Sequence, residues 1–335
     1  MSTATVPGSD DALTGRVQTG LDRVAARLEE VVDHDDPFIA EANLHLARAG
    51  GKRFRPLLTL LTSEVGRGWD DQVVDAAVGV ELTHLASLYH DDVMDEADLR
   101  RGVRSANARY GNATAILVGD LLFGTASAVV AGLGPEAVKI QAETFIRLCA
   151  GQIRDDRQGA TAPGAGGHDA AVEAYLSILA DKTGSLIATA ARYGAMFGGC
   201  DEGTVRTLTA YGETLGVVFQ LADDLLDVAS EADASGKTPG ADLREGKATL
   251  PVLYARGSSD PADARLRELL AGPIEDPVEL AEALELLRAH PAMTQARERT
   301  LAMAAQARSL LQDLEPSAAV DALRALVDGV ADRSR

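Results

Sequence analysis

The sequence predicts an all-α protein, and three observations carry that reading. Aromatic residues make up only 4% of the 335 residues, whereas Ala, Leu and Val are abundant. That mix favours helices over pleated sheets. Apolar residues recur at helical spacing from the first segment onward, as in Leu21, Val24, Ala25, Leu28, Val31 and Val32. Hydrophobic residues reach 46%, enough for a large core, so disorder is not the default.

The elements follow in order. Residues 1–14 are small and polar, with Gly and Pro, and are expected to be disordered. Residues 15–335 are expected to form one helical domain. Pro56 suits the first turn of a helix carrying Leu57, Leu58, Leu60 and Leu61. A long apolar helix is predicted from Val73 to about Leu99, turning acidic toward its C-terminal end. Further helices are predicted over about 112–131, 135–156, 170–198, 202–229 and 248–256, with several amphipathic helices in 261–333. Residues 158–169 and 230–247 read as Gly-rich loops rather than domain linkers, because apolar helices resume on both sides.

The net charge of −19 argues against nucleic acid and anionic membranes as partners. Cys149 and Cys200 fit no C-x-x-C or zinc spacing and read as reduced thiols of a cytoplasmic protein. No basic-then-apolar leader opens the chain, and no apolar run is read as reaching about 18 residues, so neither a signal peptide nor membrane insertion is expected.

Against that acidic background, local patterns stand out. Asp91 and Asp95, in His90-Asp91-Asp92-Val93-Met94-Asp95, fall one helical turn apart on one face. Like charges at that spacing repel unless neutralised. A hard divalent cation such as Mg²⁺ neutralises them and takes carboxylate, phosphate and water oxygens. The plainer account of one such pair is an acidic helix end in solvent. The pattern recurs, however: Asp223 and Asp227 are again one turn apart, among Val217, Val218, Leu221, Leu225 and Leu226. Two such helices facing each other would line a cavity that holds metal ions but repels an anionic substrate unless the metals are bound, and two basic clusters, Lys52, Arg53, Arg55 and Arg100, Arg101, Arg104, stand out against the acidic chain.

Taken together, the motifs resemble those of the trans-isoprenyl (polyprenyl) diphosphate synthases. Gly50-Gly51-Lys52-Arg53-Phe54-Arg55-Pro56 comes first, then the first aspartate motif, then Leu99-Arg100-Arg101-Gly102. Lys182-Thr183-Gly184, Phe219-Gln220 with the second aspartate motif, Gly236-Lys237 and Gly240-Ala241-Asp242-Leu243-Arg244-Glu245-Gly246-Lys247 follow in family order. The resemblance implies an isoprenoid-synthase helical bundle with a central cavity, usually homodimeric. It implies three Mg²⁺ ions, two on Asp91 and Asp95 and one on Asp223 with Asp227 in support. Arg100, Lys182, Thr183, Gln220, Lys237 and Lys247 would then contact the allylic diphosphate (geranyl, farnesyl or geranylgeranyl). Lys52, Arg55, His84 and Arg101 would hold isopentenyl diphosphate. Each has a plainer alternative: a lone helical His is more often a packing residue, and loop lysines are usually solvated.

The implied reaction ionises the allylic carbon–oxygen bond, and negative charge builds on the departing diphosphate. Cationic clamps stabilise that charge best in a dry, preorganised site. No protein nucleophile is required, in keeping with the absence of a Ser/His/Asp arrangement. Ala86 and Ser87, five and four residues before Asp91, are small, so the growing tail should pass them and exceed geranylgeranyl length. Phe123 and Phe145 are candidates for a deeper floor. A class I terpene cyclase, a head-to-head squalene-type synthase and a non-catalytic regulatory subunit are the competing readings. The second intact aspartate motif and the Gly-Gly-Lys-Arg cluster disfavour them.

Overall fold

A computed structural model describes residues 8, 10–51, 53–158, 167–230 and 239–334. Lys52 and Lys237 lie outside the described residues. In chain order the helices begin with α1 (Asp11–Val31), α2 (Pro37–Arg48), α3 (Phe54–Ser63) and α4 (Asp71–Met94). A two-stranded antiparallel hairpin follows, β1 (Leu99–Arg100) and β2 (Val103–Arg104). Then come α5 (Ala106–Tyr110), α6 (Asn112–Ala131), α7 (Pro135–Gln158) and α8 (Gly167–Leu179). A π turn, Ala180–Gly184, leads into α9 (Ser185–Phe197) and α10 (Glu202–Ala229). The chain closes with α11 (Ala241–Glu245), α12 (Leu250–Arg256), α13 (Ala264–Leu269), α14 (Pro277–Ala289), α15 (Pro291–Leu310) and α16 (Ala318–Ala331). The protein is all-α, as its composition predicts.

The chain divides into two compact units. The first comprises Met1–Phe145, Leu186–Gly212 and Asp313–Arg324; the second comprises Ile146–Ser185, Glu213–Gln312 and Ala325–Arg335. In the first, α4 is buried without a break from Ala76 to Thr83 and is accordingly the central helix. Val73, Val74, Val78, Val80, Leu82 and Leu85 are all buried, with α1, α3 and α6 packed around them. In the second, Val172, Tyr175 and Leu176 of α8 meet Leu221 and Leu225 of α10 and Leu250 and Leu253 of α12.

Several boundaries depart from the sequence reading, each for a local reason. Helix α1 starts at Asp11, inside the stretch expected to be disordered, because the Asp10 carboxylate accepts the Leu13 N–H at 2.7 Å and caps it. Helix α4 ends at Met94 rather than near Leu99. Glu96 takes a left-handed φ of 48°, and the Glu96 and Ala97 N–H groups return to the carbonyls of Val93 and Asp92. That is a Schellman stop built without glycine, which is why the sequence hid it. The predicted 170–198 helix is interrupted by the π turn. The predicted 230–247 loop contains α11.

One premise of the membrane expectation, that no apolar run reaches about 18 residues, does not hold for one helix. Helix α6 is long and apolar enough to cross a membrane by length and composition, since Asp120 is its one charged residue. Ala115, Val118, Gly119, Leu122, Ala126 and Val130 of α6 are buried within the first unit, while Ile116, Leu117 and Leu121 are exposed.

Candidate active site

The first unit carries Asp91, Asp95, Arg100, Arg101, Arg55 and His84. Asp91 and Asp95 close the last turn of α4, where the Asp95 N–H donates to the Asp91 carbonyl at 2.8 Å. Asp92, rotated about 100° from Asp91 around the helix, points inward and has no exposed side-chain surface. One of its oxygens accepts the Arg100 Nε–H at 2.6 Å, and the other accepts the Ala106 N–H at 2.7 Å. Asp92 thereby ties the hairpin and the start of α5 to the acidic end of α4. The Arg100 guanidinium also lies 3.5 Å from Asp95, so it sits among the carboxylates.

The hairpin itself is sharp. Arg101 and Gly102, its two central residues, have φ of 53° and 79°, the type I′ pattern that matches strand twist. Glycine satisfies it at no steric cost; Arg101 does not, and its side chain is held elsewhere. Its guanidinium donates to the carbonyls of Leu46 and Gly50 and lies 3.5 Å from His84 Nε2. Strain at a non-Gly residue of this kind is typical of a functional position.

Around Arg101 the structure gathers a cationic group. Arg55 Nε and Arg53 Nη1 are buried without a hydrogen-bond partner. Burial pushes the Arg55 guanidinium down to about 10, with Arg101 adding to the effect and Glu81 opposing it. Burial likewise holds His84 well below the usual histidine range, reinforced by Arg55, Arg101 and Arg100, so its imidazole is neutral near pH 7. Orphaned buried donors and mutually repelling cations are the features expected of an anion site. A buried counter-charge is Glu81, only 6% exposed, whose own carboxyl is pushed up by burial. Glu81 was not singled out from sequence; a lone acid inside the apolar run Val78-Gly79-Val80-Glu81-Leu82 was the available signal.

The second unit carries Lys182, Thr183, Gln220, Asp223, Asp227 and Lys247. Lys182 and Thr183 lie on the π turn, a form of bulge common at functional sites. Gly151 permits it: a Cβ there would fall 2.5 Å from the Lys182 nitrogen. Asp181 of the same turn is held by Arg147 at 2.8 Å and by Arg154. Lys182 pairs with Asp155 at 2.6 Å, and the Thr183 hydroxyl donates to Gln220 Oε1 at 3.2 Å.

Asp224 repeats the arrangement of Asp92. It turns inward, accepting from Gln220 Nε2 at 2.9 Å and from the Tyr175 hydroxyl. Burial lifts its carboxyl to about 6. Asp227 has a second task beside the one expected from sequence: its two oxygens accept the N–H groups of Ala241 and Asp242 at 3.2 and 3.1 Å, fixing the start of α11. Asp242 is lifted to about 8 by burial, with Asp224 and Asp227 contributing. Lys247 lies 2.5 Å from Glu245. Asp155, Lys182, Gln220, Asp224, Asp242 and Lys247 together line a cleft of about 60 Å³. Asp155 and Tyr175 belong to this cleft and carried no sequence signal of their own.

Among the described residues no three His, Cys, Asp or Glu side chains gather into a ready metal cage. The donors present are paired carboxylates one turn apart. That suits a cation such as Mg²⁺, which typically takes one or two carboxylates and completes its shell with phosphate and water.

An all-helical protein with two aspartate pairs, a group of half-buried arginines and a lysine-lined polar cleft has the groups that a diphosphate-handling protein needs. The polyprenyl synthetase family model matches residues 36–287, and the chain belongs to that family. It is 47% identical to a nonaprenyl diphosphate synthase of Mycobacterium tuberculosis, over 97% of this chain and 95% of that protein. It is 39% identical to a dimethylallyltranstransferase of the same organism, over 95% of each. Among solved structures it resembles a geranylgeranyl pyrophosphate synthase of Corynebacterium glutamicum complexed with calcium and isoprenyl diphosphate. There the TM-score is 0.84 and the identity 39%, covering 97% of this chain and 98% of that one. A polyprenyl synthase of Caulobacter crescentus, also complexed with calcium and isoprenyl diphosphate, gives a TM-score of 0.88 at 31% identity, covering 100% and 99%. The protein is a prenyltransferase.

Proposed function

We propose that the protein is a Mg²⁺-dependent trans-polyprenyl diphosphate synthase. It condenses isopentenyl diphosphate head-to-tail onto geranyl, farnesyl or geranylgeranyl diphosphate and makes a product longer than geranylgeranyl diphosphate. The observation that carries this reading is the pairing of Asp91 and Asp95 on one helical face beside Arg100. Asp92 is turned away to hold that arginine in place.

Asp91, Asp95 and Asp223, with Asp227, would hold three Mg²⁺ ions, which neutralise the allylic diphosphate and the charge that grows on it as it leaves. Arg100, Lys182, Thr183, Gln220, Lys237 and Lys247 grip that same diphosphate. Lys182 and Lys247 now face Asp155 and Glu245, and exchange these partners for phosphate oxygens when substrate arrives. Lys52, Arg55, His84 and Arg101 hold isopentenyl diphosphate. Arg55 and Arg53 have the unsatisfied donors such an anion requires, and neutral His84 donates or accepts one hydrogen bond without adding charge.

Product length rests on α4. Ala86 is buried and Ser87 is half-buried, its hydroxyl tied to the His84 carbonyl at 2.8 Å. Neither carries bulk that would block a tail starting at Asp91. The 47% identity to a nonaprenyl synthase points the same way.

The exposed Ile116, Leu117 and Leu121 form an apolar strip along one face of α6. We assign it to a second copy of the chain in a cytoplasmic homodimer. Leu117→Glu combined with Leu121→Glu should convert dimer to monomer in sedimentation; an unchanged molecular mass would remove this assignment.

The function is tested by incubating purified protein with labelled isopentenyl diphosphate and farnesyl diphosphate, with and without Mg²⁺. Chromatography should show Mg²⁺-dependent products beyond geranylgeranyl length. Cyclic hydrocarbons, or no incorporation, would exclude it.

A further inference from the structure

Helix α7 turns one stripe of residues toward the π turn of the second unit. Arg147, Gly151, Arg154 and Asp155 fall at i, i+4, i+7 and i+8, which is one face of a helix. Each of them meets the turn. Arg147 Nε donates to one oxygen of Asp181 at 2.8 Å, and Arg154 donates to the other. Gly151 leaves room for the Lys182 backbone nitrogen, since a Cβ there would fall 2.5 Å from it. Asp155 accepts from the Lys182 ammonium at 2.6 Å.

A π turn carries one residue more than α geometry holds, and it persists where surrounding groups fix it. Ala180–Gly184 joins α8 to α9 without a break. The Ser185 hydroxyl donates to the Asp181 carbonyl at 2.6 Å, but that four-residue spacing is ordinary in an α-helix and does not select the π form. The Asp181 carboxylate does more, because it reaches out of its own helix to two arginines of α7. Arg147 is itself pinned: it also donates to Glu213 at 2.5 Å, on the helix α10 that carries Asp223. Were the extra residue taken up elsewhere along α8 or α9, Lys182 would swing by about 100°, one residue of helical rotation, and lose its aim into the cleft. These ion pairs do little for stability. The side chains of Arg147 and Arg154 are each 43% exposed and that of Asp181 24%, and pairs so open to water contribute weakly. Their effect is geometric: they select one phase of the helix.

We infer that Asp181, clamped between Arg147 and Arg154, is the positioning residue that sets the π turn and so aims Lys182 at the allylic diphosphate. The inference rests on the proposed synthase reading, in which Lys182 grips that diphosphate, and adds to it a residue that acts only through Lys182.

The test is a double-mutant cycle read by calorimetry. Farnesyl S-thiolodiphosphate, an unreactive allylic analogue, is titrated with Mg²⁺ into full-length native protein, Asp181→Ala, Lys182→Ala and the variant carrying both changes. Asp181→Asn keeps the volume but loses the charge that holds both arginines, and it carries the cycle if Ala does not fold. Lys182→Ala should weaken binding by about 10–100-fold, the loss of one charge-assisted hydrogen bond. Asp181→Ala should weaken it by about five- to tenfold in the native background and by less than about twofold once Lys182 is Ala, because a positioning residue has nothing left to aim. Thermal melting of Asp181→Ala should stay within a few degrees of native. An equal loss in both backgrounds, or native affinity in a folded Asp181→Ala (or in Asp181→Asn if only that variant folds), would overturn the inference while leaving the activity intact. Native affinity in Lys182→Ala would remove the grip on which it rests. Failure of the native protein to bind the analogue at all would instead overturn the synthase reading, and the inference with it.

Discussion

Asp91→Ala should lower turnover by about 10²–10³-fold while the protein melts at or slightly above its native temperature. The carboxylate sits one turn from Asp95 on the same face, so the two repel through the helix. Removing one relieves that repulsion, worth a few tenths of a kcal/mol at most. The cost falls on the reaction, where a carboxylate that would hold the Mg²⁺ neutralising the leaving diphosphate is lost. A single preorganised electrostatic contact of this kind is worth roughly 3–4 kcal/mol in the transition state, which sets the size of the expected drop. Steady-state kinetics paired with thermal melting checks both halves. A large loss of stability with retained turnover would place Asp91 in the scaffold instead.

Asp92→Ala should do the reverse first. Asp92 is fully buried, and its two oxygens hold Arg100 and the Ala106 N–H. Deleting it strands a partly buried guanidinium and a buried amide. Breaking one side of such a pair costs about 3–5 kcal/mol. Chemical denaturation should show a loss of that size. Activity should fall as well, because the hairpin that presents Arg100 and Arg101 loses its tether to α4. Asn at this position keeps an acceptor for one of the two partners and should be intermediate in stability. Equal behaviour of Asp91→Ala and Asp92→Ala in both assays would refute the division of labour drawn here.

That division marks the limit of what the sequence made legible. Helical periodicity placed α6, α7 and α10 closely, and the four-residue spacing put Asp91 with Asp95 and Asp223 with Asp227 on common faces. The second aspartate of each motif was harder to read. Its inward direction follows from helix rotation, but its partners do not, since Arg100 and Tyr175 reach Asp92 and Asp224 from distant segments. The end of α4 was misplaced because Glu96 occupies a left-handed position where glycine is usual. The type I′ hairpin was missed for the same reason at Arg101. Asp155 became visible only when its partner Lys182 could be seen, because nothing local distinguishes it from an ordinary helical residue, whereas Glu81 had only the apolar run around it as a signal.

The central claim is that both aspartate pairs serve one allylic diphosphate through bound divalent cations. It is tested most directly by calorimetric titration of an unreactive allylic diphosphate analogue into native protein, Asp91→Ala and Asp223→Ala, with and without Mg²⁺. Binding should appear only with Mg²⁺ and only in the native protein. Equal binding without a divalent cation, or native affinity in Asp223→Ala, would contradict it.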